Sequence, residues 1–183
     1  MDIKLTHTLL KDYLETSATP KQIADALSLC GPTVDRLHQI EEETIYDIEI
    51  ITNRIDSASA FGIATEAGAI LPQFNLSATL KNNPRDLTLK DLGNLPATTP
   101  ISVQILDHSL VPRFACITLE VKLKPSPKNT QALLEHVGQR PINNLVDITN
   151  ELTLRFGQPT HVFDLDKIKG HLMKLRSSKK GEK

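Results

Sequence analysis

A run of amide, carboxyl and hydroxyl side chains in the C-terminal half of the chain is the part of the sequence best suited to chemistry. It reads Arg140-Pro-Ile-Asn-Asn-Leu-Val-Asp-Ile-Thr-Asn150 and ends on Thr149 and Asn150. Asn and Asp are poor helix formers, and polar groups are costly to bury unless they bind one another or a ligand. Two interpretations stay open: these side chains cap helix ends and turns, or some of them line a binding cleft.

A histidine follows at a distance that suits the same cleft. The segment Gly157-Gln-Pro-Thr-His161 predicts a tight turn, with His161 directly after it. The sequence has no glycine-rich phosphate loop and no Gly-x-Ser-x-Gly elbow. Cys30 and Cys116 have neither a nucleophile signature nor histidines at zinc-ligand spacing. We therefore expect no ATP, magnesium or other metal site within this chain.

Composition excludes several classes of protein. The chain has 183 residues, of which 39% are hydrophobic and 23% charged, a mix that is typical of globular proteins and rules out wholesale disorder. Aromatic residues make up 4%, so stacking platforms for single-stranded nucleic acid are scarce. Two distant cysteines argue against a disulfide scaffold. No run approaches the ~18 apolar residues of a membrane span, and the start lacks the apolar core of a secretory signal. We therefore expect a cytoplasmic protein without a membrane segment.

Basic side chains are candidates for anion binding at two places. The net charge is −1, yet residues 167–183 hold seven basic side chains and one acidic side chain. Such an end is able to contact nucleic acid, and a solvated terminus explains it as well. Arg54, between Asn53 and Asp56, either grips an anion or forms a structural ion pair, and we favour the ion pair.

Residues 1–71 are predicted to form a small domain in the order helix, helix, strand, helix. Four leucines at helical spacing predict the first helix: Leu5, Leu9, Leu10 and Leu14. Thr19 followed by Pro20 predicts the start of the second helix, and Gly31 predicts its end. Alternating apolar residues over 45–51 predict a half-buried strand.

The last helix of this domain is predicted over roughly residues 58–70. Asp56 or Ser57 is expected to cap its N-terminus. The helix is rich in small residues, among them Gly62 and Gly68, which would let another backbone approach closely. Residues 72–99, which are rich in Pro and Asn and lack steady periodicity, are the predicted linker.

Residues 100–183 are predicted to form a second part with strands and helices. The apolar alternation predicts strands around 101–105 and 117–123. Ser126-Pro127 predicts the start of a helix that ends at Gly138, and a further helix is predicted over 142–156. Short strands are expected at 161–163 and 171–176. The predicted fold class is therefore α+β.

The polar run and the turn after it resemble the β subunit of bacterial phenylalanyl-tRNA synthetase. The similarity extends from Arg140 to Asn150 and again over Leu154-Arg-Phe-Gly-Gln-Pro-Thr-His-Val-Phe-Asp-Leu-Asp-Lys-Ile-Lys-Gly170. The pattern Asn53-Arg54-x-Asp56-Ser57-x-Ser59, followed by Gly62-Ile-Ala-x-Glu66, is similar to the N-terminal domain of that family. The resemblance covers residues 1–71 and about 105–183, and it is weak across the linker.

The resemblance implies a fold and a function. It implies a small helix–strand N-terminal domain followed by part of a mixed α/β editing domain. Members of the family work in a cytoplasmic heterotetramer with an α subunit, and the complete synthetase joins phenylalanine to its tRNA with ATP and magnesium. The β subunit hydrolyses tyrosine wrongly attached to that tRNA. By position in the motif, Thr149, Asn150 and His161 are the implied editing-site residues.

The sequence departs from the family pattern at several positions, and these departures change what we expect of its function. Only a short acidic link joins Leu37 to Ile45, so the tRNA-binding barrel that the family commonly inserts is expected to be absent. Thr52 and Ile55 replace two prolines, and Glu151 replaces an aromatic residue. A downstream glutamate of the editing site has no counterpart. We therefore expect an N-terminal fragment or a reduced relative, and a non-catalytic module that binds RNA or a partner subunit remains the alternative.

Overall fold

The computed structural model describes residues 1–87 and 100–182 and confirms the predicted α+β class. The helices of this part of the chain are α1 His7–Lys11, α2 Pro20–Cys30, α3 Ala60–Ile70, α4 Lys128–His136 and α5 Asn144–Phe156. The strands are β1 Asp2–Thr6, β2 Leu14–Thr16, β3 Thr33–Ile40, β4 Glu43–Glu49, β5 Ala78–Leu80, β6 Ser102–Ile105 and β7 Leu172–Leu175.

The first of two packing units combines Met1–Leu87 with Leu123–His161. Its main sheet has the antiparallel order β1-β4-β3, and β2 pairs with β5 in a separate two-stranded sheet. Alternate β4 residues, Tyr46 and Ile48, enter a core that they share with apolar side chains of α1, α2 and α3. Helix α5 packs on α3 and on α4, so the polar run is attached to this core.

The turn between β3 and β4 confirms that no barrel is inserted at this point. Ile40 pairs with Glu43, so two residues connect the strands. Glu41, the first of them, has a φ of 53°, in the left-handed region that such tight turns require.

The predicted first helix is wrong over most of its length. Residues 2–6 form a strand that pairs with β4, and helix α1 is only five residues long. Thr6 ends the strand and caps α1, because its hydroxyl oxygen accepts a hydrogen bond from the Leu9 amide. The leucine spacing could not distinguish a strand from a helix, because both elements bury leucines in the same core: Leu5 lies on the strand β1 and Leu9 on the helix α1.

Local signals placed α2 and α3 more accurately. Thr19 caps α2 through a capping box with Gln22, and Gly31 follows the last helical residue, as predicted. Helix α3 is confirmed, but its cap is Ser59 and not Asp56 or Ser57. Those two residues belong to a 3₁₀ turn, Ile55–Ser57, that precedes the helix.

The second packing unit contains residues 100–122 and 162–182 of the described chain. Strands β6 and β7 pair in parallel, with Ser102 opposite Leu172. The predicted strands at 117–123 and 161–163 are absent from the described sheets. Alternating apolar residues show that one face of a strand could be buried. A strand also requires a neighbouring strand with which its backbone can form hydrogen bonds.

The packing units do not follow the predicted boundaries at residues 71 and 99. Strand β5 lies within the predicted linker and pairs with β2, while residues 88–99 of that linker fall outside the described residues. Leu133 and Leu154, on α4 and α5, pack against the N-terminal core. The boundaries 1–71, 72–99 and 100–183 remain a prediction about domains of the family.

Candidate functional site

Three polar side chains of the run hold the N-terminal end of α5. Asn143 caps the helix, because its side-chain oxygen accepts hydrogen bonds from the backbone amides of Leu145 and Val146. The side-chain oxygen of Asn144 accepts a hydrogen bond of 3.0 Å from the Lys124 amide. For these residues the structural interpretation of the sequence is confirmed.

Asp147 makes the most buried of these contacts, with 1% of the residue exposed. Its Oδ2 accepts a hydrogen bond of 2.5 Å from the Ser126 hydroxyl, and its Oδ1 accepts one of 2.9 Å from the Ile142 amide. A buried carboxylate needs such partners, since an unpaired buried charge is strongly destabilising. Asp147 therefore connects α5 to the segments before α4 and before α5.

The two predicted site residues on α5 are adjacent and half-buried. The Thr149 hydroxyl donates to the Val146 carbonyl at 2.7 Å, which leaves its oxygen able to accept another hydrogen bond. Within the described residues, the side-chain amide of Asn150 forms no hydrogen bond with a protein group. Its role in binding a ligand therefore remains a prediction.

His161 lies beyond the end of α5 and is exposed. The helix ends at Gly157, whose φ of 72° reverses the chain and where an added Cβ would lie 3.2 Å from the Ala58 carbonyl oxygen. His161 follows four residues later, outside any regular element. The structure thus brings Thr149 and Asn150 together, and the proximity of His161 to them remains a prediction.

A small cavity lies beside the N-terminal end of α5 and not at the predicted site. Its volume is about 180 Å³. The lining residues are Pro125, Ser126, Gln131, Pro141, Ile142 and Asp147. Because Asp147 and Ser126 are already hydrogen-bonded to each other, this cavity belongs to the structural support of α5.

A charged network that the sequence reasoning missed joins α5 to the N-terminal elements. Glu151 accepts hydrogen bonds from Arg155 at 2.8 Å and from the Thr130 hydroxyl at 2.9 Å. Arg155 also donates to Asp12 at 2.8 Å and to the Tyr13 hydroxyl at 3.3 Å. Burial disfavours the guanidinium charge, but these hydrogen bonds outweigh it and raise the pKa of Arg155. The spacing of four between Glu151 and Arg155 was the available signal.

Arg54 forms the structural ion pair that the sequence favours. It donates to both oxygens of Asp56, at 3.1 and 3.0 Å, and also contacts Glu66 on α3. The hydrogen bonds with Asp56, followed by those with Glu66, raise the pKa of Arg54. Two carboxylates therefore balance this cation, and it is not a candidate anion site.

His7 occupies a half-buried position beside the core tyrosine of β4. Its Nδ1 lies 2.8 Å from the Tyr46 hydroxyl. Burial, and to a lesser extent the charge of Lys11, lowers the pKa of His7 below its usual 6.5. Below that pH the folded protein binds fewer protons than the unfolded chain, so the free energy of unfolding should fall as the pH drops.

We expect His7→Gln to reduce this loss of stability in acid. Urea unfolding at about pH 7.5 and about pH 5.5 should show a smaller difference for the variant than for the unsubstituted chain. Tyr46→Phe is the control: it removes the hydroxyl and leaves His7 in place, so the acid-dependent difference should persist because burial is the main cause of the shift. An equal pH dependence in His7→Gln and the unsubstituted chain would contradict the prediction.

Within residues 1–87 and 100–182, no group of three or more His, Cys, Asp or Glu side chains is placed to hold a metal ion. The same part of the chain contains no helix that is long and apolar enough to cross a membrane.

The chain is similar in sequence to several known proteins. Residues 111–183 match the B3/4 domain family. The chain is 35% identical over 177 residues to the phenylalanine–tRNA ligase beta subunit of Streptococcus pneumoniae and 32% identical over 181 residues to that of Streptococcus pyogenes serotype M1. It is also 35% identical over 176 residues to that of Streptococcus mutans.

These similarities cover most of the chain but a small part of each relative. They include 93%, 92% and 93% of this chain, respectively, and 21% of each of the three beta subunits. The chain therefore spans about a fifth of the length of these relatives. The resemblance found in the sequence is confirmed: 93% of this chain is similar in sequence to one part of the phenylalanine–tRNA ligase beta subunit of Streptococcus pneumoniae.

Proposed function

We propose that the chain acts as part of a phenylalanine–tRNA ligase β subunit and contributes to hydrolytic editing of tyrosine mischarged on the phenylalanine tRNA. The observation that carries this proposal is the homology over 93% of the chain to β subunits of this ligase. The half-buried amide of Asn150 supports it, since it lies in the matching motif and forms no hydrogen bond with a described protein group.

Editing is the hydrolysis of an ester. Water adds to the carbonyl carbon, the bond from that carbon to the ribose oxygen breaks, and the ribose oxygen takes up a proton. The products are tyrosine and free tRNA. We assign Asn150 and His161 to holding the substrate or the attacking water, and Thr149 to shaping the pocket. Such positioning groups accelerate the reaction by stabilising charge that develops on the carbonyl oxygen.

Selectivity for tyrosine would come from its hydroxyl group. A site that hydrogen-bonds this hydroxyl leaves polar groups unpaired when phenylalanine occupies it, and the penalty can reach several orders of magnitude. Asn and Thr side chains offer the donors and acceptors that such a site needs.

The same proposal includes partners. The chain would assemble with an α subunit and with the phenylalanine tRNA, in the heterotetramer that the resemblance implies. ATP and magnesium would belong to the complete synthetase, and the protein would work in the cytoplasm with the other components of translation.

A non-catalytic module that binds RNA or a subunit is the second candidate, and the basic end favours it. Lys169, Lys174 and Lys180 are exposed. Arg176 is paired with Glu182, and its hydrogen bonds lower the pKa of that carboxyl to about 2. If the exposed lysines contact phosphates, tRNA binding by this chain should weaken steeply with salt. Binding without editing would favour this candidate.

Two substitutions test the editing role. In the complex with its α subunit, we expect Asn150→Ala and His161→Ala to slow deacylation of tyrosyl-tRNA by about 10- to 100-fold. Gln139→Ala and His136→Ala remove the same types of side chain from α4 and the segment after it, and they should leave the rate unchanged. Unchanged deacylation in both site variants would contradict the assigned roles.

A further inference from the structure

The C-terminal part of α5 contacts a short segment between α1 and β2. Arg155 donates hydrogen bonds to Asp12 at 2.8 Å and to the Tyr13 hydroxyl at 3.3 Å. The Tyr13 ring is buried and meets the ring of Phe156 edge to face, with 5.9 Å between their centroids. Two consecutive residues of α5 therefore contact the same segment, one through charge and the other through aromatic packing.

The segment that receives Arg155 is itself fixed in the N-terminal elements. The Asn82 side chain donates to the Asp12 carbonyl at 2.8 Å, and the Lys81 amide donates to the Tyr13 carbonyl at 2.9 Å. The Arg155 side chain is only 25% exposed. Exposed ion pairs between mobile side chains contribute little, but a partly buried pair on a fixed segment is able to define where a helix lies.

The guanidinium of Arg155 is a planar fork of N–H donors, and it uses more than one of them. Its Nε donates to Glu151 at 2.8 Å while its Nη1 donates to Asp12. Glu151 in turn accepts a hydrogen bond from Thr130 on α4. Asn150 directly precedes Glu151 in the helix, so the predicted site residue is next to a residue that these contacts fix.

We propose that Arg155 is a positioning residue: it fixes the rotation of α5 about its axis and so holds the Asn150 side chain where the tyrosyl ester would bind. This inference rests on the proposed editing function. Asp147 fixes the N-terminal end of the helix, and Asn150 lies between that end and Arg155. Side chains of a helix end about 5–6 Å from its axis, so a rotation of about 10° would move the Asn150 amide by about 1 Å. A misplacement of about 1 Å is able to lower a reaction rate by about 100-fold.

A double-mutant cycle tests this role in the complex with the α subunit. Arg155→Met keeps the apolar stem and removes the guanidinium, and it should lower kcat for tyrosyl-tRNA deacylation by about tenfold with KM nearly unchanged. Asp12→Asn alone should lower kcat by about threefold, and it should have no further effect in the Arg155→Met background, because Asp12 acts through Arg155. Ile23→Val, a buried change on α2, controls for a general loss of stability and should leave kcat unchanged.

Nuclear magnetic resonance of the full chain separates this proposal from the editing function. The side-chain amide signals of Asn150 should shift in Arg155→Met and also in Asp12→Asn, although Asp12 lies on another element, and they should stay in place in Ile23→Val. Unchanged signals in both variants, shifted signals with an unaltered kcat, or additive losses of kcat in the double variant would overturn the positioning role. A complex that leaves tyrosyl-tRNA intact while the Asn150 signals shift as expected would contradict the editing function and would retain Arg155 as the residue that orients α5.

Discussion

Gly62→Ala should destabilise the protein by about 3 kcal/mol, although alanine is the better helix former. A Cβ at position 62 would lie 2.8 Å from the Cα of Ser57 and closer still to the Asp56 carbonyl oxygen. Both are backbone atoms of the turn before α3, so neither moves easily. The helical preference for alanine is only about 1 kcal/mol, while overpacking a buried site costs about 1–3 kcal/mol or more.

Gly68→Ala on the same helix is the matched control. Its Cβ would meet the Leu80 side chain at 3.4 Å, an ordinary contact, so the helical preference should dominate and stabilise the protein by about 0.5–1 kcal/mol. Urea unfolding of both variants gives the comparison. Similar unfolding free energies for the two would show that the close approach at Gly62 does not exist.

Asp147→Ala should destabilise the protein by about 2–4 kcal/mol. The change removes the acceptor of two hydrogen bonds and leaves the Ser126 hydroxyl and the Ile142 amide without it. A buried donor without an acceptor costs about 1–3 kcal/mol. Because these contacts fix the N-terminal end of α5, the variant should also disturb the positions of Thr149 and Asn150.

Asp25→Ala serves as the comparison for Asp147→Ala. Asp25 lies on α2 and pairs with Lys21, but both side chains are largely exposed, at 60% and 77%. Exposed ion pairs contribute about 0–1 kcal/mol, so this variant should remain close to the unsubstituted chain in chemical denaturation. If Asp147→Ala lowered the free energy of unfolding no more than Asp25→Ala does, the Asp147 carboxylate would not be what anchors α5.

The parts of the fold that the sequence predicted well are those with local causes. Helix α2 has its cap, its proline and its terminal glycine within a dozen residues, and α5 ends at a glycine with positive φ. The close approach at Gly62 was also expected from the small residues of α3. Each of these features depends on neighbours in sequence, so a single sequence contains enough information to place it.

The parts that the sequence predicted poorly depend on distant partners. Leu5 lies in a strand because Tyr46, more than 40 positions away, is its neighbour in the sheet. The predicted strand at 117–123 has the right alternation and no ladder among the described residues. A pattern of side chains identifies a buried face, but the choice between helix, strand and loop is made by tertiary contacts.

In the candidate site, too, the sequence predicted some residues well and left the roles of others undecided. Helix propensity alone could not tell which polar residues of the run are structural, and the structure assigns Asn143, Asn144 and Asp147 to that role. Glu151, which departs from the family pattern, is explained by its hydrogen bonds to Thr130 and Arg155. The role of Thr149 and Asn150 in contacting a ligand stays a prediction.

The rate of tyrosyl-tRNA deacylation by the chain in complex with its α subunit tests the central claim most directly. The matched substrate is phenylalanyl-tRNA, with the same tRNA and the same protein concentration. Editing predicts that the tyrosyl ester is hydrolysed at least about tenfold faster than the phenylalanyl ester. Rates for both esters equal to those measured without protein would contradict the proposed function.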